Sequence, residues 1–138
     1  SALRVASREP GLAEDRERFL EILVFLHPIA EALDSYWEYY EEPDTGREFT
    51  ERLVIGTAEH VEELDKAIQK VSTHWRIGRM AAVDRNILRM AAYELFYIPE
   101  VPKRVTLNEA IEIAKRFGAE DSWAFINGIL DKLAEEID

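Results

Sequence analysis

Two pairs of adjacent basic residues lie near aromatic side chains in the second half of the chain. Lys103-Arg104 and Lys115-Arg116 flank a predicted helix, and Phe117 and Phe125 follow it. Cationic side chains bind phosphates and aromatic rings stack on unpaired bases, so the pattern is typical of single-stranded RNA binding. Basic residues near helix ends also stabilise the helix dipole, and phenylalanines commonly fill a core. Both interpretations stay open on these residues alone.

The charge of the chain is strongly and unevenly acidic. Its 138 residues include 17 basic and 28 acidic side chains, giving a net charge of −11, which disfavours general binding to nucleic acid. Residues 30–65 contain two basic and twelve acidic side chains, whereas residues 76–116 contain eight basic and five acidic ones. An anionic partner is therefore expected to bind the second half of the chain or the arginine-bearing N-terminus.

Residue patterns that would indicate an enzyme or a metal protein are missing. No histidine follows a glutamate by three residues, the spacing of di-iron helical bundles, and the chain has no cysteine. The glycines are isolated from one another, so they form no phosphate loop, dinucleotide fingerprint or nucleophile elbow. We therefore expect no metal, no cofactor and no catalysed reaction.

Asp84 is the most unusual acidic residue of the predicted central helix. At 100° per residue it falls on the apolar side, whereas Arg85 and Arg89 project together from another face. A carboxylate that faces a core needs a partner, because an unpaired buried charge is costly. Asp84 either pairs with an arginine or caps a helix inside the fold, or it lies at the edge of a surface that binds a partner.

Helical periodicity runs through almost the whole chain. Apolar side chains recur every three or four residues in segments predicted as helices over residues 13–26, 29–42, 48–71 and 79–98. Residues 43–46 are predicted as a turn. A fifth helix is expected to begin at a capping box over residues 106–109 and to end before Gly118, and Asp121 or Ser122 is expected to cap the last helix. The predicted fold class is all-α.

The chain is predicted to form a single domain over residues 1–138, with residues 1–12 as an N-terminal arm. No apolar run approaches the ~20 residues that a membrane-spanning helix needs, so no membrane association is expected. The N-terminus lacks the architecture of a signal peptide, and the absence of cysteine fits a reducing compartment. A cytoplasmic location is expected.

Ordered motifs occupy residues 75–133. They are Trp75, Val83-Asp84-Arg85-Asn86-Ile87-Leu88-Arg89, Tyr93-Glu94-Leu95, Val101-Pro102, Leu107-Asn108-Glu109-Ala110-Ile111-Glu112-Ile113-Ala114-Lys115, Phe117-Gly118 and Phe125-Ile126-Asn127-Gly128-Ile129-Leu130-Asp131-Lys132. In this order and spacing they resemble the C-terminal signature of the bacterial transcription antitermination factor NusB family. The resemblance implies a NusB-like helical bundle of two packed three-helix groups.

The resemblance also implies a function. Members of the family bind boxA-type single-stranded leader RNA together with the small-subunit ribosomal protein that acts as NusE. The pair supports processive ribosomal RNA transcription within an RNA polymerase antitermination complex, and no reaction is catalysed. Carried over by position, the expected RNA-binding residues are Arg16, Arg18, Lys115, Arg116, Asp121 and Phe125. The expected protein-binding residues, beside the central helix, are Asp84 and Arg85.

Two other functions remain as alternatives. NusB-like domains also occur as accessory domains ahead of RNA methyltransferase domains. The chain could instead be a helical protein-interaction adaptor that has lost RNA binding, which its acidity and the acidic residues among its N-terminal arginines favour. Trp123 stands where the family often has a smaller or polar residue, so it would cover or extend the RNA surface.

Overall fold

All regular structure in the described part of the chain is helical. The structure is a computed structural model that describes Glu31 and residues 44–137. Its helices are α1 (Asp44–Glu59), α2 (Val61–Val71), α3 (Ala82–Tyr97), α4 (Lys103–Phe117) and α5 (Ser122–Glu135), and a 3-10 turn spans Ile77–Arg79. The all-α prediction is confirmed. The N-terminal arm, the helices predicted over residues 13–26 and, except for Glu31, 29–42, and the candidate RNA ligands Arg16 and Arg18 lie outside the described residues.

The chain divides into two units, residues 1–59 and 60–138, and α1 belongs to the first. The turn predicted over residues 43–46 is wrong from Asp44 onward, because α1 already begins there. The Thr50 hydroxyl donates to the Gly46 carbonyl oxygen at 2.8 Å, and Arg47 pairs with Glu51 one helical turn away at 3.4 Å. Gly46, which was predicted to lie in the turn, is therefore part of α1.

The single helix predicted over residues 48–71 is two helices. α1 ends at Glu59 and α2 begins at Val61, with His60 between them at φ −113° and ψ 16°. The His60 carbonyl oxygen accepts the first hydrogen bond of α2, from the Leu64 N–H at 2.9 Å. The apolar periodicity continues through this residue, so the sequence pattern gave no sign of the break.

The second unit has a core built by α2, α3, α4 and α5. α3 and α5 each contact the three other helices. The largest fully buried side chains of this unit are Leu64, Ile68, Leu88, Ile98, Ile126, Leu130 and Leu133. The central position predicted for the helix over residues 79–98 agrees with these contacts of α3, although α3 begins at Ala82, three residues after the predicted start.

Two polar contacts join neighbouring helices of this unit. Arg89 on α3 donates from Nε and Nη2 to the two carboxylate oxygens of Asp65 on α2, at 2.7 and 2.8 Å. This hydrogen bonding outweighs desolvation and raises the pKa of the Arg89 guanidinium above its ordinary value. The Thr106 hydroxyl on α4 donates to Glu94 Oε1 on α3 at 2.6 Å. Each bond connects two helices that also contact each other.

The predicted capping box at residues 106–109 is therefore wrong. α4 begins at Lys103, three residues earlier, because Pro102 at φ −60° precedes it and accepts hydrogen bonds from the N–H groups of Val105 and Thr106. Thr106 is buried inside the helix and its hydroxyl is used between helices. None of the helices in residues 44–137 combines the length and the apolar content that a bilayer crossing requires.

Candidate functional site

The junction of α4 and α5 positions four of the predicted RNA-binding residues. Lys115 and Arg116 lie in the last turn of α4, Asp121 directly precedes α5, and Phe125 lies in the first turn of α5. Both basic side chains are exposed. The four residues therefore lie on either side of the short connection between α4 and α5.

Gly118 makes this junction tight. Its N–H donates to the Ala114 carbonyl oxygen at 2.8 Å, and its φ is −89°, so a positive φ is not what requires glycine here. A Cβ at this position would lie 2.7 Å from the Ala114 oxygen, 2.7 Å from Ser122 Cβ and 2.8 Å from Ser122 Oγ. The end of α4 and the start of α5 approach each other closely because no side chain stands between them.

The prediction that the side chain of Asp121 or Ser122 caps α5 is wrong. Asp121 occupies the N-cap position of α5, but its side chain makes no capping hydrogen bond. The Ser122 hydroxyl instead accepts a hydrogen bond from the Ala119 N–H at 2.9 Å and holds the connecting turn. The exposed Asp121 carboxylate is thus not used to cap the helix.

Each cation of the junction lies over an aromatic ring. Lys115 Nζ is 5.4 Å from the centroid of the Trp123 ring, and the Arg116 guanidinium carbon is 5.4 Å from that of Phe117. Trp123 is 42% exposed and Phe117 is 64% exposed. Such pairs are attracted by the ring quadrupole. They hold positive charge and aromatic surface together in contact with solvent.

Phe125 has an aromatic neighbour that lies fifty residues away in the sequence. Its half-buried ring meets Trp75 edge to face, with centroids 6.3 Å apart and an angle of 83° between the planes. Trp75 lies in the loop between α2 and the 3-10 turn and is 55% exposed. Trp75 belonged to the family motifs, but nothing in residue spacing indicated that these rings meet.

A single glutamine side chain organises that loop. Gln69 Nε2 donates to the carbonyl oxygens of Ser72 and Trp75, both at 3.0 Å, and Gln69 Oε1 accepts from the Ile77 N–H at 2.9 Å. The Ser72 hydroxyl also donates to the Trp75 carbonyl oxygen, at 2.9 Å. The amide of Gln69 therefore bonds three points of the loop backbone.

Asp84 and Arg85 lie together in the first turn of α3 and are half-buried. Asp84 Oδ1 and Arg85 Nε are buried atoms without a hydrogen-bond partner among the described residues. Arg89, the other arginine of this helix, pairs with Asp65 instead. The interpretation that Asp84 pairs with an arginine inside the fold is therefore wrong for the described part of the chain.

A cluster of polar and aromatic side chains surrounds Tyr97. The Tyr97 hydroxyl donates to the Glu63 carboxylate, at 2.7 and 2.6 Å from its two oxygens. The Tyr97 ring stacks on Tyr93 and lies tilted against His60, at 40° between the planes. The hydrogen bond to Glu63, followed by burial and the charge of the same carboxylate, raises the pKa of Tyr97 to about 12. Across residues 44–137 and Glu31, no group of three or more histidine or acidic side chains is arranged to hold a metal ion.

Comparison with known proteins decides the family. A model of the NusB family matches residues 13–135, which is most of the chain. The chain belongs to the NusB family. The expectation drawn from the motifs in residues 75–133 is thereby confirmed, and the match extends it into the N-terminal half.

Individual members of the NusB family agree with this assignment. The chain is 48% identical over 103 residues to a protein of Sorangium cellulosum, covering 75% of this chain and 74% of that protein. It is 59% identical over 92 residues to one of Geobacter sulfurreducens, covering 67% of each. It is also 44% identical over 128 residues to one of Desulfitobacterium hafniense, covering 88% of this chain and 86% of that protein. All three are named transcription antitermination protein NusB.

A solved structure supports the NusB fold directly. NusB of T. maritima superimposes with a TM-score of 0.70 at 36% sequence identity, covering 82% of this chain and 83% of that chain. The predicted NusB-like helical fold is therefore confirmed.

Proposed function

We propose that this NusB family member is a transcription antitermination factor that binds RNA and protein and catalyses no reaction. Its RNA ligand is boxA-type single-stranded RNA, bound together with the small-subunit ribosomal protein that acts as NusE. The pair then joins an RNA polymerase antitermination complex in the cytoplasm and supports ribosomal RNA transcription. The observation that carries the proposal is the α4–α5 junction, where exposed cations and aromatic rings lie together in a chain of this family.

The residues of the junction have distinct roles in this proposal. Lys115 and Arg116 neutralise phosphates, while Phe125 stacks on an unpaired base beside the N-terminus of α5, whose backbone N–H groups favour anions. Asp121 accepts hydrogen bonds from the RNA, because its carboxylate is exposed and makes no capping bond. Arg16 and Arg18 contribute further phosphate contacts, and Trp123 extends the aromatic surface.

The protein partner binds at the first turn of α3. A buried Asp84 oxygen and a buried Arg85 nitrogen have lost contact with water without gaining a hydrogen bond among the described residues. Because both atoms are covered, a partner would reach them only if the two half-buried side chains moved on binding, and it would then have to supply a donor to Asp84 and an acceptor to Arg85. This requirement supports Asp84 and Arg85 as the binding site for the ribosomal protein.

Electrophoretic titration of boxA RNA, with and without the ribosomal protein, tests the proposal. A scrambled RNA of the same length is the control for sequence selectivity. We expect Lys115→Gln combined with Arg116→Gln to weaken boxA binding. Lys132→Gln, an exposed lysine in the last turn of α5, should have no effect. Failure of the parent protein to bind boxA RNA in either condition would overturn the proposal.

The net charge of −11 favours one alternative function, a protein-interaction adaptor without RNA binding. In that case the chain would bind the ribosomal protein with unchanged affinity in the presence and absence of RNA. The same titration separates the two functions, because only an RNA-binding factor forms a complex that contains all three components.

A further inference from the structure

We propose that the loop between α2 and α3 is a second contact surface for the same RNA. In this proposal Trp75 stacks on an unpaired base, and Arg76 and Arg79 bind the neighbouring phosphates. The inference rests on the proposed function, because it requires RNA to bind beside Phe125. It adds a nucleotide-binding site whose residues, Trp75, Arg76 and Arg79, are not among the RNA-binding residues of the proposed function.

The charge of this part of the chain suits an anionic ligand. Residues 66–83 contain two lysines and two arginines and no acidic side chain, in a protein whose net charge is −11. Asp65 and Asp84 border this segment, and Asp65 is already paired with Arg89. Arg76 and Arg79 have no ion-pair partner among the described residues, so their charges are available to phosphate.

Trp75 is presented to solvent in the manner of a stacking platform. Its side chain is 55% exposed even though it contacts Phe125, so it has little role in the core. Stacking of a base on an aromatic ring tolerates any base identity, because every base has a π-face. The edge-to-face contact joins Trp75 to the ring that the proposed function already assigns to RNA, which makes the two surfaces continuous.

The loop is ordered before any ligand binds. The three hydrogen bonds of the Gln69 amide and the bond from Ser72 hold the backbone on both sides of Trp75. A ligand therefore pays little conformational entropy to order this backbone, which improves affinity at a given contact area. The same bonds use the carbonyl oxygen of Trp75, so they survive replacement of its side chain.

The space beside the loop is an open groove. It is lined by Gln69, Thr73, His74, Trp75, Arg76 and Arg79. An open groove with an aromatic ring and two guanidinium groups matches a single strand, in which bases and phosphates alternate along the chain. An acidic protein segment would use the arginines but would gain less from Trp75, so RNA is the favoured occupant.

Binding of boxA RNA to loop variants tests the inference, with the ribosomal protein present throughout. We expect Trp75→Ala to weaken binding about tenfold without changing its salt dependence, and Trp75→Phe to retain most of the affinity. Arg76→Gln combined with Arg79→Gln should reduce the slope of log affinity against log salt by about 1.4, because each phosphate contact on a single strand contributes about 0.7. Val105→Ala, which truncates an exposed apolar side chain on α4, is the control and should bind as the parent does.

A direct readout complements the affinities. RNA that contains 5-iodouridine should form a photo-crosslink to Trp75, which mass spectrometry of the digested complex would locate. Thermal melting checks that each variant stays folded. Trp75→Ala loses the edge-to-face contact with Phe125, so only a small decrease in its midpoint is expected, because the Gln69 bonds to the loop backbone are retained.

The outcomes separate this inference from the proposed function. If the parent binds boxA RNA but Trp75→Ala binds equally well and no crosslink maps to Trp75, the loop proposal is wrong and the junction remains the RNA site. If the parent binds no RNA, both proposals fail. An acidic peptide that displaces RNA from the parent but not from the Arg76 and Arg79 variant would assign the groove to a protein and overturn the RNA proposal.

Discussion

At the scale of single residues, polar side chains in the described part of the chain differ in whether their atoms form hydrogen bonds. Asp65 and Arg89 form two short hydrogen bonds, whereas Asp84 Oδ1 and Arg85 Nε are buried without any. A buried polar atom without a hydrogen bond bears the cost of desolvation with nothing to offset it. The first pair therefore serves the fold, whereas the second forms no hydrogen bond through these atoms in the described part of the chain and would have to move to meet a partner.

Asp84→Ala should accordingly weaken binding of the ribosomal protein about tenfold or more without lowering the thermal midpoint. The substitution breaks no hydrogen bond in the described part of the chain, but it removes a charged acceptor, which contributes about 1.5–3 kcal/mol when paired. Calorimetric titration and a thermal melt measure the two effects. Asp65→Ala is the matched control, because it breaks the pair with Arg89 and should lower the midpoint. A comparable loss of midpoint in Asp84→Ala would contradict a binding role.

The Tyr97 hydroxyl should give a distinct alkaline signature. Its pKa is raised to about 12, against about 10 in an unfolded chain, so the fold favours the protonated phenol. This stabilisation is complete below pH about 10 and is lost as pH rises through about 12. The stability difference between the parent and Tyr97→Phe should therefore shrink over that interval, as measured by urea unfolding at several pH values. Glu63→Gln should return the phenolate absorbance titration of Tyr97 toward its ordinary range; an unchanged titration would show that Glu63 is not the cause.

At the scale of elements, the close approach of α4 and α5 is what places the candidate RNA residues. Gly118 allows this approach, and Ser122 fastens the connecting turn through the Ala119 N–H. Gly128, inside α5, differs from Gly118 because a Cβ there would meet nothing within 4 Å. The two glycines thus form a natural pair for comparison.

Gly118→Ala should lower the free energy of unfolding by about 1–3 kcal/mol, the usual cost of overpacking, because the added methyl group would meet backbone and a short side chain. It should also weaken RNA binding by displacing the start of α5. Gly128→Ala should instead raise the free energy of unfolding by about 0.5–1 kcal/mol, since alanine is the better helix former. Urea denaturation measures both. Equal effects of the two substitutions would mean that the junction tolerates a side chain at residue 118.

At the scale of the whole molecule, a net charge of −11 limits RNA affinity. A basic partner would share the phosphates, so we expect the ribosomal protein to tighten RNA binding, and RNA to tighten the protein pair by the same factor. Titrations of each component against the other two, at low and physiological salt, measure the coupling. Tight binding of boxA RNA by the chain alone at physiological salt would contradict this expectation.

The helices of the second unit were largely predictable, because their apolar stripes have the period of a helix. The predicted range 79–98 corresponds to Ala82–Tyr97, and the last helix begins at Ser122 as one of two predicted positions. The break at His60 was not predictable, since the apolar stripe passes through it. Thr106 was misassigned because its spacing to Glu109 matches a capping box, while its actual partner, Glu94, lies twelve residues earlier on another helix.

The candidate site was predictable only in part. Short motifs and the family resemblance indicated the residues of the α4–α5 junction, which lie near one another in the sequence. The contact of Trp75 with Phe125 depends on the packing of α2 against α5, and residue spacing carries no information about it. The unsatisfied atoms of Asp84 and Arg85 likewise became visible only when the neighbours of α3 were known.

The Gln69 amide restricts how the loop after α2 can change in length. Most surface loops accept inserted residues readily, because their backbone bonds to water and its path is not critical. Here one side chain reaches from α2 to Ile77, eight residues away, and bonds two carbonyl oxygens on the way. One additional residue between Ser72 and Ile77 would move at least one of these groups out of reach of the amide. We therefore expect this segment to vary by substitution and to keep its length. Insertions and deletions are expected in other connections of the chain.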